Sequence, residues 1–113
     1  MTAPSDELQA LKAEFFRAMA HPARIRILEV LSESGEQSVQ ALQARLAVDQ
    51  PIVSQQLAKL RAHGVVTARK EGTTVIYAVA DPRVADLLKI AKEILNRRLA
   101  GTRTLLTELR RLG

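Results

Sequence analysis

The chain contains no cysteine, which removes disulfides, thiolate metal sites and thiol redox chemistry from the functions open to it. Aromatic residues make up 3% of it, so the core must come from Leu, Val, Ile and Ala, a composition that favours helices. No apolar run approaches the roughly 18 residues of a membrane span, and no signal-peptide pattern opens the chain. The cytoplasm is therefore the expected compartment, with no membrane partner. Repeats of 20 to 50 residues and low-complexity tracts are missing too, which excludes solenoids and argues against disorder. There is no phosphate loop, no G-x-S-x-G elbow, no H-E-x-x-H and no pair of acids in a catalytic setting, so an enzyme is not expected.

What is present is a short, basic, unevenly charged chain. Its 113 residues suffice for one domain, residues 1–113, with a modest core. Residues 1–49 carry five Lys/Arg against seven Asp/Glu, whereas residues 50–113 carry twelve against five. The second half is thus suited to a polyanion, nucleic acid or an anionic membrane.

The basic half opens on DQPIVSQQLAKLRAHG, Asp49 to Gly64. Asp49 or Gln50 can cap a helix here, Pro51 suits the first turn, and Gly64 can take the left-handed conformation that ends it. Val53, Leu57 and Leu60 recur at i, i+4 and i+7 and form a face to be buried. On the other face Ser54, Gln55, Gln56 and Lys59 offer a hydroxyl, amides and an ammonium, groups that hydrogen-bond base edges and phosphates. Taken alone, such a face also fits ordinary solvent exposure.

Context narrows the choice. Ser5 is placed to cap a first helix, 5–19, with Leu8, Leu11, Phe15 and Met19 on one side, a face that suits either a subunit interface or the core. Pro22 opens a second helix to about Ser34 with Ile25, Leu28, Val30 and Leu31 inward and Arg24 and Arg26 off that face. Ser38 caps a short third helix carrying Val39, Leu42 and Leu46, and only three or four residues separate it from the helix at 50–63. That is the helix-turn-helix arrangement. Two β-branched runs follow, 65–70 and 74–79, around the turn Glu71-Gly72-Thr73; the hairpin tip carries Arg69, Lys70, Thr73 and Thr74, placed to grip backbone phosphates. Asp81-Pro82 starts a last helix, 82–112. Its stripe of Val84, Leu88, Ala91, Leu95, Leu99, Thr102, Leu105, Leu109 and Leu112 is too long for so small a domain to bury, which points to dimerisation. Gly101 weakens the middle of that helix and leaves its continuity open. The fold class is mainly α with a β-hairpin wing, α-α-α-α-β-β-α, a homodimer through its first and last helices.

Phe16-Arg17-Ala18-Met19-Ala20-His21-Pro22-Ala23-Arg24-Ile25-Arg26-Ile27-Leu28 resembles the "LADPTRLRIL" signature of the ArsR/SmtB winged-helix regulators. Val53-Ser54-Gln55-Gln56-Leu57 with Leu60-Arg61 and Gly64-Val65-Val66 is similar to that family's "VSQHLKxLRxAGLV", and Arg69-Lys70-Glu71-Gly72 with Ile76-Tyr77 to its wing. The resemblance spans about residues 8–100. It implies a homodimeric transcription regulator, by family habit a repressor, that binds a near-palindromic double-stranded DNA operator, with Gln50, Ser54, Gln55 and Gln56 toward the major groove and the Arg69 to Thr74 tip on the backbone.

The same resemblance exposes two departures. Where the family's metal sensors often carry a "CVC", this chain has Ser38-Val39-Gln40, and its last helix has no His to join Asp86 and Glu93. The remaining imidazoles, His21 and His63, each sit at a helix end, where capping or a favourable dipole explains them. They are also the weak metal candidates: a nickel, zinc or cobalt effector site could assemble from them and carboxylates such as Asp6, Glu7, Glu14 or Asp86, making the protein a metal-responsive activator or co-regulator. No cofactor is required. A winged-helix protein-interaction module without DNA binding is the other alternative, and the basic second half argues against it.

Overall fold

The computed structural model describes residues 4–112 of the chain. They form, in order, α1 (Pro4–Met19), α2 (Pro22–Ser34), β1 (Gln37–Ser38), α3 (Val39–Leu46), α4 (Gln50–Ala62), β2 (Val66–Glu71), β3 (Thr74–Val79) and α5 (Arg83–Leu112). The mainly helical fold with a hairpin wing is the one expected, with corrections in detail. Helix α1 already includes Pro4, whose fixed φ suits a first turn, so Ser5 lies inside the helix rather than capping it. Of the loose tail that the sequence suggests at Met1 to Pro4, Pro4 belongs instead to α1 and Met1 to Ala3 lie outside the described residues.

Helix α2 stands at the centre. His21 caps it, its Nδ1 accepting from the Ala23 N–H at 3.1 Å, and Pro22 occupies the first turn. Gly35 ends it at φ 80°, its N–H donating to the Leu31 carbonyl. Its buried residues are Ile27, Leu28 and Leu31. Ile25, expected inward, is exposed, and Val30 is only half-buried. Apolar residues occur around most of this helix, so periodicity alone did not settle its phase. The true stripe runs 24, 27, 28, 31 and places Arg24 at its end, half-buried, instead of off the face.

Around α2 lie Leu42 and Leu46 of α3, Val53, Leu57 and Leu60 of α4, Val65 and Val66 at the root of the hairpin, Val84 of α5, and Ala18 and Met19 at the end of α1, all in one buried cluster. Ser38 caps α3 as expected, its Oγ accepting from the Ala41 N–H at 3.1 Å. Strand β1 was not anticipated, because two residues are too few to show an alternation. It pairs antiparallel with β3, Gln37 opposite Tyr77 and Ser38 opposite Ile76, giving a sheet of order β1-β3-β2. The wing is thereby hydrogen-bonded to the segment that leads into α3. Gly72, at φ 64°, takes the first place of the two-residue turn between Glu71 and Thr74, where a side chain would be strained.

Helix α5 runs unbroken from Arg83 to Leu112, about 45 Å at the ordinary rise. Asp81 caps it: its carboxylate accepts from the Arg83 N–H at 2.9 Å and from the Arg83 guanidinium at 2.7 to 3.2 Å. Gly101 lies within the helix, flanked by Thr102 and Thr104, whose hydroxyls donate to the carbonyls of Arg98 and Ala100. Val84 is buried and Leu87 and Leu88 pack against the core. Beyond them Ile90, Ile94, Leu95, Leu99, Leu105, Leu106, Leu109 and Leu112 are exposed, as are Leu8, Leu11, Phe15 and Phe16 of α1. The radius of gyration, 18.2 Å, exceeds the roughly 13 Å of a compact chain of this size because these two helices project from the body.

Two outcomes follow for stability. A Cβ at Gly101 meets nothing within 4 Å, so Gly101→Ala should stabilise by about 1 kcal/mol, read as a rise in the thermal or urea midpoint. The hydrogen bonds from the Arg83 side chain, then from its backbone N–H, lower the Asp81 pKa from 3.8 to about 2. A depressed folded-state pKa means that this cap helps above pH 3.8 and that its help is lost as pH falls toward about 2. NMR titration should find the carboxyl ionising near the lower value, and Asp81→Asn should remove this part of the acid sensitivity.

Candidate nucleic-acid interface

Three residues, Ala47, Val48 and Asp49, join α3 to α4. Ala47 turns the chain at φ 54° and ψ 43°, a left-handed conformation uncommon outside glycine, and its N–H donates to the Gln43 carbonyl at 2.9 Å. Val48 packs against the core, which fixes the direction in which α4 leaves. Asp49 occupies the cap position, although its side chain makes no capping bond. At the far end His63 is the cap residue, Gly64 takes φ 71°, and the Val65 N–H donates back to the Leu60 carbonyl at 2.9 Å.

With both ends set, the inner stripe of α4 determines what it shows outside. Val53, Gln56, Leu57 and Leu60 are buried; Gln50, Gln55 and Lys59 are exposed, and Ser54 is half-buried beside them. The polar groups therefore form one outward crest, shared with the exposed Ala58, which lies i+4 from Ser54 and has a side chain small enough for a base pair to approach closely. Ala58 was missed, although its spacing from Ser54 was readable.

Gln56 is a correction. Expected on the outer face, it is turned inward and only 6% exposed. Its Oε1 accepts from Arg24 Nε at 2.8 Å, while Arg24 Nη1 donates to the Ala18 carbonyl at 3.0 Å. A single guanidinium thus ties α4 to α2 and to the end of α1. A second amide directly after Gln55 gives no sign of its direction, but position 56 is i+3 from Val53, and that spacing was the available signal.

The wing brings Arg69, Lys70, Thr73 and Thr74 to the hairpin end, where the register sets Lys70 opposite Val75 and Glu71 opposite Thr74. Arg69 is not free there: its Nη2 lies 2.6 Å from Glu36 and 3.2 Å from Glu71. Among the described residues Lys70 has no such partner. The two imidazoles, distant in sequence, line one hollow together with Glu14, Arg17 and Arg24. His63 Nδ1 lies 2.9 Å from the Lys59 carbonyl, so both side chains also serve helix ends. Among the described residues no three His, Asp or Glu side chains form a metal-ligand group.

This geometry has close counterparts. The profile of the bacterial regulatory proteins of the arsR family matches residues 21–68, from the cap of α2 into β2. An uncharacterized HTH-type transcriptional regulator of Mycobacterium tuberculosis, Rv0081, is 44% identical over 109 residues, 96% of either chain. The chain belongs to the ArsR family. The crystal structure of M. tuberculosis Rv0081 matches with a TM-score of 0.76 at 45% identity, covering 89% of this chain and 98% of its own. The homodimeric winged helix-turn-helix domain of Mb0332 from Mycobacterium bovis, described as a possible ArsR-family regulator, gives 0.76 at 28% identity, covering 88% and 91%. A biofilm growth-associated repressor of Agrobacterium fabrum is 38% identical over 87 residues, 76% of this chain and 74% of its own. ArsR proteins are transcription regulators with a winged helix, not enzymes.

The buried tie is testable. Gln56→Leu and Arg24→Met each leave a polar partner buried without its bond, a loss of about 1–3 kcal/mol. Urea unfolding of both single variants and the double variant should show the double costing clearly less than the sum; simple additivity would mean that the pair is not coupled.

Proposed function

We propose that this ArsR-family protein is a homodimeric repressor that binds a near-palindromic DNA operator, with α4 in the major groove and the wing on the backbone. The observation that carries it is the outward crest of Gln50, Ser54, Gln55 and Lys59 on a helix whose opposite stripe is locked into the core. Amides can read adenine edges, and the hydroxyl and ammonium suit phosphates or bases. On the wing Lys70 has no ion-pair partner among the described residues, while Arg69 exchanges Glu36 for a phosphate on binding; Thr73 and Thr74 add hydroxyls beside them.

Dimerisation supplies the second half-site. The exposed apolar rows of α1 and α5 exceed what a monomer leaves in water, and a second copy covers both. A twofold dimer then presents two copies of α4 to half-sites about 34–36 Å apart, one turn of DNA, or a multiple of that. Repression follows from binding alone, by steric exclusion of polymerase in the cytoplasm. No described helix is long and apolar enough to cross a membrane. A nickel, zinc or cobalt effector held by His21, His63 and Glu14 has the weaker support, since two guanidinium groups line the same hollow.

Footprinting on DNA upstream of the protein's own gene defines the operator, and binding to it should weaken steeply with salt. Gln55→Ala should relax preference at one base pair in each half-site by about 1–3 kcal/mol. Lys70→Ala should weaken all sequences alike and reduce the salt slope by about 1. If Gln55→Ala leaves both affinity and preference unchanged, α4 is not the reader.

A further inference from the structure

The end of α1, the α1–α2 turn, α2 and the C-terminal end of α4 surround a hollow of about 320 Å³, near the lower end of the roughly 300–1,000 Å³ typical of small-molecule sites. Its lining is unlike a solvated seam between helices. Arg17, Arg24, His21, His63 and Glu14 all line it, His63 brought from α4 to four side chains of the 14–24 segment. Among the described residues neither the Arg17 nor the Glu14 side chain has an ion-pair or hydrogen-bond partner.

The hydrogen bonds already made define what the imidazoles can offer. His21 Nδ1 accepts the Ala23 N–H, so the proton of the neutral ring is on Nε2, which is a donor. His63 Nδ1 faces the Lys59 carbonyl and must carry its proton, which leaves Nε2 of the neutral ring as an acceptor. Arg24 has committed Nε and Nη1 and keeps Nη2 uncommitted. The hollow therefore combines two guanidinium groups and an imidazole N–H, all donors, with two acceptors, the Glu14 carboxylate and His63 Nε2. Guanidinium forks match the oxygens of carboxylates and phosphates. A metal cation would meet two fixed positive charges and no group of three ligands.

We propose that this hollow binds a small hydroxylated anion, a phosphate or carboxylate with a neighbouring hydroxyl, and that its occupancy reaches α4 through Arg24. The anionic group sits between Arg17, Arg24 and His21; the hydroxyl donates to Glu14 or His63. Arg24 is the transmitting group because the same guanidinium holds Gln56 on the inner stripe of α4 and the carbonyl of Ala18 at the end of α1. An occupant drawing on Arg24 thus acts on the contact that seats the recognition helix. The consequence for gene control rests on the DNA-binding reading, but the site itself does not, and it is tested without DNA.

The experiment is a titration of the full-length protein, followed by NMR, with inorganic phosphate, glycerol 3-phosphate and malate, against sodium chloride at matched ionic strength. Glycerol 3-phosphate or malate should saturate at one molecule per chain and bind more tightly than inorganic phosphate, which lacks the carbon-borne hydroxyl. The Arg24 Nε–H and Gln56 side-chain amide signals should move with the same midpoint. Arg17→Ala and His63→Ala, checked for intact fold by circular dichroism, should each weaken binding at least tenfold. The proposal is overturned by shifts that chloride reproduces, by equal affinity in both variants, or by binding that leaves the Arg24 and Gln56 signals in place. Saturable Zn²⁺ binding that needs His21 and His63, without anion binding, would replace it by a cation site.

Discussion

The inner stripe of α4 carries Val53, Leu57 and Leu60 into the same buried cluster as Ile27, Leu28 and Leu31 of α2, with the Gln56 amide held by Arg24 between them. A helix rotates as one body, so the burial of these four positions also fixes the heading of every other side chain on it. Gln50, Gln55 and Lys59 point outward because they lie off the stripe that Val53, Gln56, Leu57 and Leu60 bury. The amide at 56 adds directionality that apolar contact lacks. It is satisfied only in one rotation and at one depth, whereas Leu against Leu tolerates sliding.

The wing depends on a second, weaker set of constraints. Pairing of β1 with β3 anchors it to the lead-in of α3, so the helix-turn-helix and the hairpin hang from one frame. Its charges are less firmly held. Arg69 is 54% exposed in its side chain, and exposed ion pairs such as that with Glu36 contribute only about 0–1 kcal/mol, so the pair is easily opened. The pair orients the arginine in the free protein without trapping it.

The two terminal helices stand apart from this frame, and their apolar rows are satisfied by nothing within the described chain. The division is physical as well as functional. The central helices bury enough to hold α4 and the wing in place, and α1 and α5 leave most of their apolar surface exposed. Only the last turn of α1 and the first turns of α5 enter the core, through Ala18, Met19 and Val84. At the first of these points Arg24 bonds the Ala18 carbonyl, so α1 is joined to α2 by a polar contact of defined direction, whereas the Asp81 bonds are local to the start of α5.

Much of this was legible in the residues. Helix ends were readable because capping needs particular side chains at particular places: Ser38, Pro22, Pro51 and Gly64 all lie where the local chemistry asks for them. The hairpin was readable from β-branched alternation around Gly72, and the family from several spaced motifs. The phase of α2 was not, since apolar residues surround it and only contact with three other elements selects Ile27 over Ile25. Strand β1 was not, since a two-residue strand exists only by virtue of its partner. Gln56 escaped for the same reason: a side chain that can satisfy itself in water or inside reveals its direction only when a donor 32 residues away in sequence arrives beside it. The sequence by itself determined which segments are helical, where they stop and what chemistry they carry. Which of those groups face outward together, and which are drawn inside, was decided by tertiary packing, because burial is a property of the assembled neighbours and not of any one segment.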